Sequence, residues 1–202
     1  MRRADAGACG SWSKAAVAFL VLAALLVPHA SPVAAAAPGA VSASAERVLE
    51  RRVKAAFLFR FTEFVTWPDA AFARPDSPFT ILVAGREIYA EELRQITAGR
   101  TVSSRPVAVR RVSEGETMPA AHVLFVPDSE RARLREWIRA APRHALIVTE
   151  SEGALEHGSV VNFVLVEGRV RFEIALDTAD RRGLRMSSRL LALALAVRTG
   201  NP

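Results

Sequence analysis

Three polar side chains, Asn162, Arg171 and Glu173, fall on one face of an expected β-hairpin, and Arg185, Ser187 and Ser188 follow within fifteen residues. Together they could form a polar pocket in which Arg171 either bridges to Glu173 or accepts an incoming carboxylate. The Ser187-Ser188 helix start would add free backbone N–H groups if that helix packs on the same face. The same residues also fit a hydrogen-bond network tying the hairpin to the last helix, with Ser187 or Ser188 as the N-cap. A buried Glu173 without a partner would be costly, so Arg171 or Arg185 is expected beside it. Trp67, at a helix exit, could line a pocket or simply pack where the helix meets a loop.

Residue types that carry catalysis are sparse. His122 and His144 each open an expected strand and His157 sits in a loop, with no pair at metal-ligand spacing, so no metal or cofactor is expected and the histidines read as strand-edge or surface groups. Ser151 lies in Glu150-Ser151-Glu152-Gly153, which lacks the G-x-S-x-G of a nucleophile elbow. Its flanking glutamates would oppose an alkoxide, and a helix cap suits it better. Neither a G-x-G-x-x-G nor a G-x-x-x-x-G-K-[ST] run occurs, which argues against dinucleotide and P-loop chemistry. The residues make no case for an enzyme.

The hairpin that positions the polar set is well marked. Glu167-Gly168 is a two-residue turn between β-rich runs, and it sets Phe163 opposite Phe172 and Asn162 opposite Glu173. Val161, Phe163, Leu165, Val170, Phe172 and Ile174 then share an apolar face, while Asn162, Arg169, Arg171 and Glu173 share the other. Downstream come a short capped helix, an Arg-Met-Ser-Ser turn and the apolar run Leu190–Val197, expected as a helix buried centrally or against another chain.

Upstream, Leu49, Val53, Phe57, Phe61 and Val65 recur every four residues and predict a helix over 46–65, ended by Thr66-Trp67-Pro68. Continuous apolar runs at 79–84, 122–126 and 144–149, with a less regular one at 106–112, predict strands of a sheet buried on both faces. Helices are expected over 89–98 and from Ser129 to about 141, the latter capped by Ser129 or Asp128. Strand–helix alternation implies an α/β fold: a mostly parallel sheet flanked by helices, a Rossmann-like sandwich, with a C-terminal β-hairpin and helix.

The first 37 residues read as a signal peptide. Arg2, Arg3 and Lys14 precede the apolar run 15–27, and small-residue triplets such as Val33-Ala34-Ala35 follow. The run is shorter than the ~18 residues a membrane span requires. Residues 38–45 are expected as a short mature tail and 46–202 as a single domain with a sizeable core. Removing three basic residues and one acidic residue from totals of 27 and 21 leaves 24 and 20, a net charge of +4. Lys54 is then the only lysine, and the arginines are scattered among acids without interleaved aromatics, so nucleic acid is not an expected partner. The single cysteine, Cys9, precedes the apolar run and leaves with it, so no disulfide or thiol chemistry remains.

Several of these runs also carry a resemblance. Val53-Lys54-Ala55-Ala56-Phe57-Leu58-Phe59-Arg60-Phe61 with Val65-Thr66-Trp67-Pro68 resembles the opening of the YfiR-like family of bacterial periplasmic proteins. It continues through Gly99, Arg105-Pro106-Val107, His122-Val123-Leu124-Phe125, Thr149 with Gly153, and Val161-Asn162-Phe163. Gly168-Arg169-Val170-Arg171-Phe172-Glu173-Ile174 and Gly183-Leu184-Arg185-Met186-Ser187-Ser188 before Leu190-Leu191 complete it, so that it covers about residues 50–195. The resemblance implies a periplasmic α/β repressor, working as a homodimer, that binds the periplasmic portion of a membrane-anchored diguanylate cyclase or related sensor and lowers cyclic di-GMP and biofilm formation. It also implies an outer-membrane protein able to sequester the repressor. The chain departs from the family's best-known type in lacking mature cysteines. A small-ligand sensor and an assembly scaffold stay open as alternatives.

Overall fold

The computed structural model describes residues 38–200, with side chains from Ala43 onward. The expected signal peptide therefore lies outside the described residues. The first helix, α1 (Pro38–Phe64), starts eight residues before the expected 46, so the segment expected as a tail forms its first turns. A short β1 (Val65–Thr66) follows.

The chain then alternates through β2 (Phe79–Ala84), α2 (Glu87–Thr97), β3 (Thr101–Val102), β4 (Arg105–Val112), β5 (Val123–Val126), α3 (Leu134–Ala140) and β6 (Leu146–Thr149). The hairpin is β7 (Val161–Val166) and β8 (Arg169–Ala175). It is followed by α4 (Leu176–Arg181), β9 (Arg185–Met186), α5 (Ser188–Leu193) and β10 (Ala196–Arg198). Eight strands form one sheet in the order β10-β8-β7-β6-β5-β2-β4-β3, and β1 pairs with β9. From β4 to β7 the strands are parallel, and the hairpin turns the sheet antiparallel at β8.

The chain is thus α/β, with a mostly parallel sheet and helices on both faces. Strands β4, β2, β5, β6 and β7 have the order of a doubly wound sheet, in which β4 goes to one side of β2 and β5 to the other. On one face Ile81, Val83, Val123, Phe125 and Val148 pack with α1 and with Ala90 and Leu93 of α2. On the other, Leu82, Ala84, Leu124 and Val126 pack against Leu134 and Trp137 of α3. Burial on both faces explains why these strands read as unbroken apolar runs.

Hairpin register agrees residue for residue: Phe163 lies opposite Phe172 and Asn162 opposite Glu173. Both turn residues have positive φ, Glu167 at 50° and Gly168 at 72°, the geometry a two-residue hairpin loop demands. Phe163 and Phe172 meet Phe57 and Phe61 of α1 in a four-ring cluster, with centroids 5.1–6.1 Å apart.

Four expectations need correction. The stripe on α1 is rotated: Lys54, Ala55, Leu58, Phe61 and Thr62 are buried, whereas Leu49 is 64% exposed, because the N-terminal part of the helix lies off the sheet core. Neither Ser129 nor Asp128 caps α3 through its side chain; residues 128–133 are a 3-10 turn leading to Arg133 as N-cap. Leu165, expected in the core, is 55% exposed near the hairpin tip. The apolar run 190–197 is not one buried helix. It breaks after Leu193 and continues as β10, parallel to β8, satisfying backbone groups that β8 would otherwise leave open. Only Leu190 of the run is buried, while Leu193, Leu195 and Val197 are exposed.

Candidate functional site

The expected polar set is not brought together. Asn162 is buried, its Oδ1 accepting the Thr149 hydroxyl at 2.7 Å, and Ser159 Oγ lies 2.9 Å from Thr149 Oγ1. Glu173 lies beside Asn162 but is half-exposed, and among the described residues it makes no ion pair with Arg171 or Arg185. Arg171 is exposed. Arg185 belongs to β9, where it pairs with Thr66 and is exposed.

Ser187 is the N-cap of α5, accepting the Leu190 N–H, and its own N–H donates to Phe64 O at the end of α1. That helix packs on the Phe163–Phe172 face, opposite Asn162, so Ser187 and the exposed Ser188 do not approach the polar face. Trp67 packs at the helix exit and also lines a smaller cavity of about 390 Å³ with Thr62, Phe72 and Phe79. It is buried edge-to-face against Phe79 at 4.9 Å, and its Nε1 donates to His122 O at 2.9 Å.

His122 is likewise buried, correcting the expectation of a strand-edge or surface group. Its ring stacks between Phe72 at 4.4 Å and Phe79 at 4.6 Å. The Thr80 N–H donates to Nδ1 at 3.0 Å, which places the proton of the neutral ring on Nε2. Nε2 is buried without a hydrogen-bond partner. Burial above all, with nearby Arg105, pushes the imidazole pKa below its ordinary value.

A crevice of about 870 Å³ opens instead at the carboxyl edge of the sheet. It sits where the chain leaves β2 toward α2 and leaves β5 in the other direction, the place where open α/β sheets take ligands. Its walls come from α1, the Arg86–Tyr89 segment, Asp128-Ser129 after β5, Glu150 after β6 and the outer half of β7. Asn162 is the one expected site residue that lines it.

Its floor is an ionic network. Lys54 Nζ donates to both Glu50 and Glu150, and the side chains of Lys54 and Glu150 are 9% and 4% exposed. Glu150 Oε1 further accepts the Tyr89 hydroxyl at 3.1 Å and the Asp128 N–H at 2.8 Å. Burial alone would lower the Lys54 pKa, but the charge and hydrogen bonds of Glu150, joined by those of Glu50, lift it above the ordinary lysine value. Burial first, then the Glu150 charge, raises the Tyr89 hydroxyl, which stays a proton donor. Ser151, expected as a cap, instead donates to Asp128 Oδ1 at 3.1 Å.

Sequence reasoning passed over Lys54, Tyr89, Glu150 and Arg51. The available signals were a lone lysine in an arginine-rich chain, four residues after a glutamate, and a glutamate immediately past a buried strand.

The fold is a doubly wound α/β domain whose crevice has a polar, ion-paired floor. The chain belongs to the YfiR/HmsC-like family, whose model matches residues 51–195. None of the curated proteins matches it. A similar solved structure is a conserved domain protein from Vibrio cholerae O1 biovar El Tor, 12% identical with a TM-score of 0.45. The match covers 59% of this chain and 54% of that one, so the chain spans about half the length of that protein. Among the described residues no helix is long and apolar enough to cross a membrane.

Proposed function

We propose that this protein is a periplasmic regulatory binding protein that represses a membrane-anchored diguanylate cyclase or related sensor, lowering cyclic di-GMP, without chemistry of its own. The observation that carries this reading is family membership over residues 51–195, which takes in about half of α1, every strand but β10, and α5. The partner surface would be the periplasmic portion of that membrane protein, and an outer-membrane protein could sequester the repressor away from it.

Export with signal-peptide cleavage would leave a mature N-terminus between Ala34 and Val41, where the small-residue triplets lie. Intact mass of the periplasmic product checks this, and a full-length membrane-bound product would contradict it. Deleting the gene should raise cyclic di-GMP and surface attachment, and a plasmid copy should reverse both. Unchanged cyclic di-GMP in a strain shown to express the wild-type protein would overturn repression in favour of a scaffold.

A further inference from the structure

We propose that the crevice at the carboxyl edge of the sheet binds a small amphiphilic anion, one with an aromatic or aliphatic body and a single phosphate or carboxylate. Its size falls within the range of small-molecule sites. Arg47 and Arg51 stand one turn apart on the same face of α1, and Arg86 comes from the loop after β2, so the guanidinium groups reach the space from two separate elements. Among the described residues none of the three forms an ion pair.

Arg51 is the sharper observation. Its Nε is buried and has no hydrogen-bond acceptor, an arrangement folded proteins rarely leave standing. The neighbouring acids do not supply that acceptor. Glu50 and Glu150 are bonded to Lys54, and Asp128 Oδ1 takes the Ser151 hydroxyl. An anion entering the crevice would provide what the guanidinium lacks, and arginine's fork suits both phosphate and carboxylate.

Part of the rim is apolar and favours an uncharged body, while Glu152 on the same crevice would repel a second negative charge on the ligand. Val48, Ile88 and Leu165 line the same crevice and are 37%, 45% and 55% exposed, an apolar rim beside the arginines. Inorganic phosphate would satisfy only the charged half and an uncharged aryl alcohol only the apolar half. The site is independent of which membrane partner the protein binds.

Calorimetric titration of the mature protein with phenyl phosphate, phenylacetate, inorganic phosphate and benzyl alcohol tests this. Saturable one-to-one binding of at least one aryl anion is expected, about tenfold or more tighter than either half-ligand. The ranking of the two aryl anions distinguishes phosphate from carboxylate. Arg51→Gln and Arg86→Gln should each weaken binding by about tenfold, with Arg171→Gln, outside the crevice, unchanged. Arg86 is exposed, so its variant keeps the test usable if Arg51→Gln fails to fold. No saturation by either aryl anion up to about 10 mM, equal binding of the half-ligands, or an equal loss in Arg171→Gln would each overturn the proposal.

Discussion

At the scale of single residues, the buried Lys54–Glu150 pair is the most consequential ionic contact. Removing Glu150 leaves buried Lys54 only the more exposed Glu50 and takes the acceptor from the Tyr89 hydroxyl and the Asp128 N–H, so Glu150→Ala should destabilise the domain by about 3–5 kcal/mol. Glu50→Ala should cost about 1 kcal/mol or less, because Glu50 is 30% exposed and Lys54 keeps its other partner. Urea unfolding of both variants checks the difference. Because the folded-state pKa of Lys54 is raised, the pair's contribution is full below the ordinary lysine pKa of 10.5 and declines as pH rises through the folded value.

His122 has the opposite sign. Its folded pKa is lowered, so the unfolded chain binds the extra proton and stability falls as pH drops below 6.5. The lowered carboxyls of Glu87, Glu156 and Asp177 act at more acidic pH than His122. His122→Asn retains an acceptor for the Thr80 N–H and should flatten the slope between about pH 6.5 and 5, read from urea midpoints. Glu173→Ala, by contrast, should change stability by no more than about 0.5 kcal/mol, since Glu173 is half-exposed and lacks the expected ion pair.

At the scale of elements, the hairpin is set by its turn and its aromatic face. Gly168 sits at φ 72°, and a Cβ there would meet nothing within 4 Å, so Gly168→Ala isolates backbone strain and should cost about 1–2 kcal/mol. Glu167→Asn, at φ 50°, should move thermal stability the other way, since asparagine tolerates that conformation better. Differential scanning calorimetry of the two variants gives opposite shifts if the turn is the determinant. The hairpin's hold on α1 runs through Phe57, Phe61, Phe163 and Phe172, and Phe61→Ala should cost about 3–5 kcal/mol through the cavity left among the other rings.

At the scale of the molecule, the C-terminal segment leaves Leu193, Leu195 and Val197 exposed, at 58%, 43% and 37%. β10 is also the outermost strand on its side of the sheet, with backbone groups open to a further strand. We propose that two copies pair through this edge. Light scattering at micromolar concentration should report twice the monomer mass, and Leu195→Glu should return the monomer. A wild-type monomer under those conditions would leave this edge to a different chain.

The positions of β2, β4, β5 and β6, the hairpin register and the α/β class were legible in the sequence because they depend on local quantities. Those quantities are apolar periodicity, a Glu-Gly turn whose geometry sets every cross-strand partner, and unbroken apolar runs that only burial on two faces explains. Asn162 opposite Glu173 is such a result. Which side of the sheet α5 packs on is not local, and for that reason Ser187 and Ser188 never reach Asn162. The fate of 190–197 is similar: alternating Leu and Ala satisfy helix and strand alike, and the unfilled edge of β8 decided the matter. The crevice is the clearest case. Lys54, Tyr89 and Glu150 are scattered over nearly a hundred residues, with no motif linking them, and they meet only because parallel strands carry distant loops to one edge of the sheet.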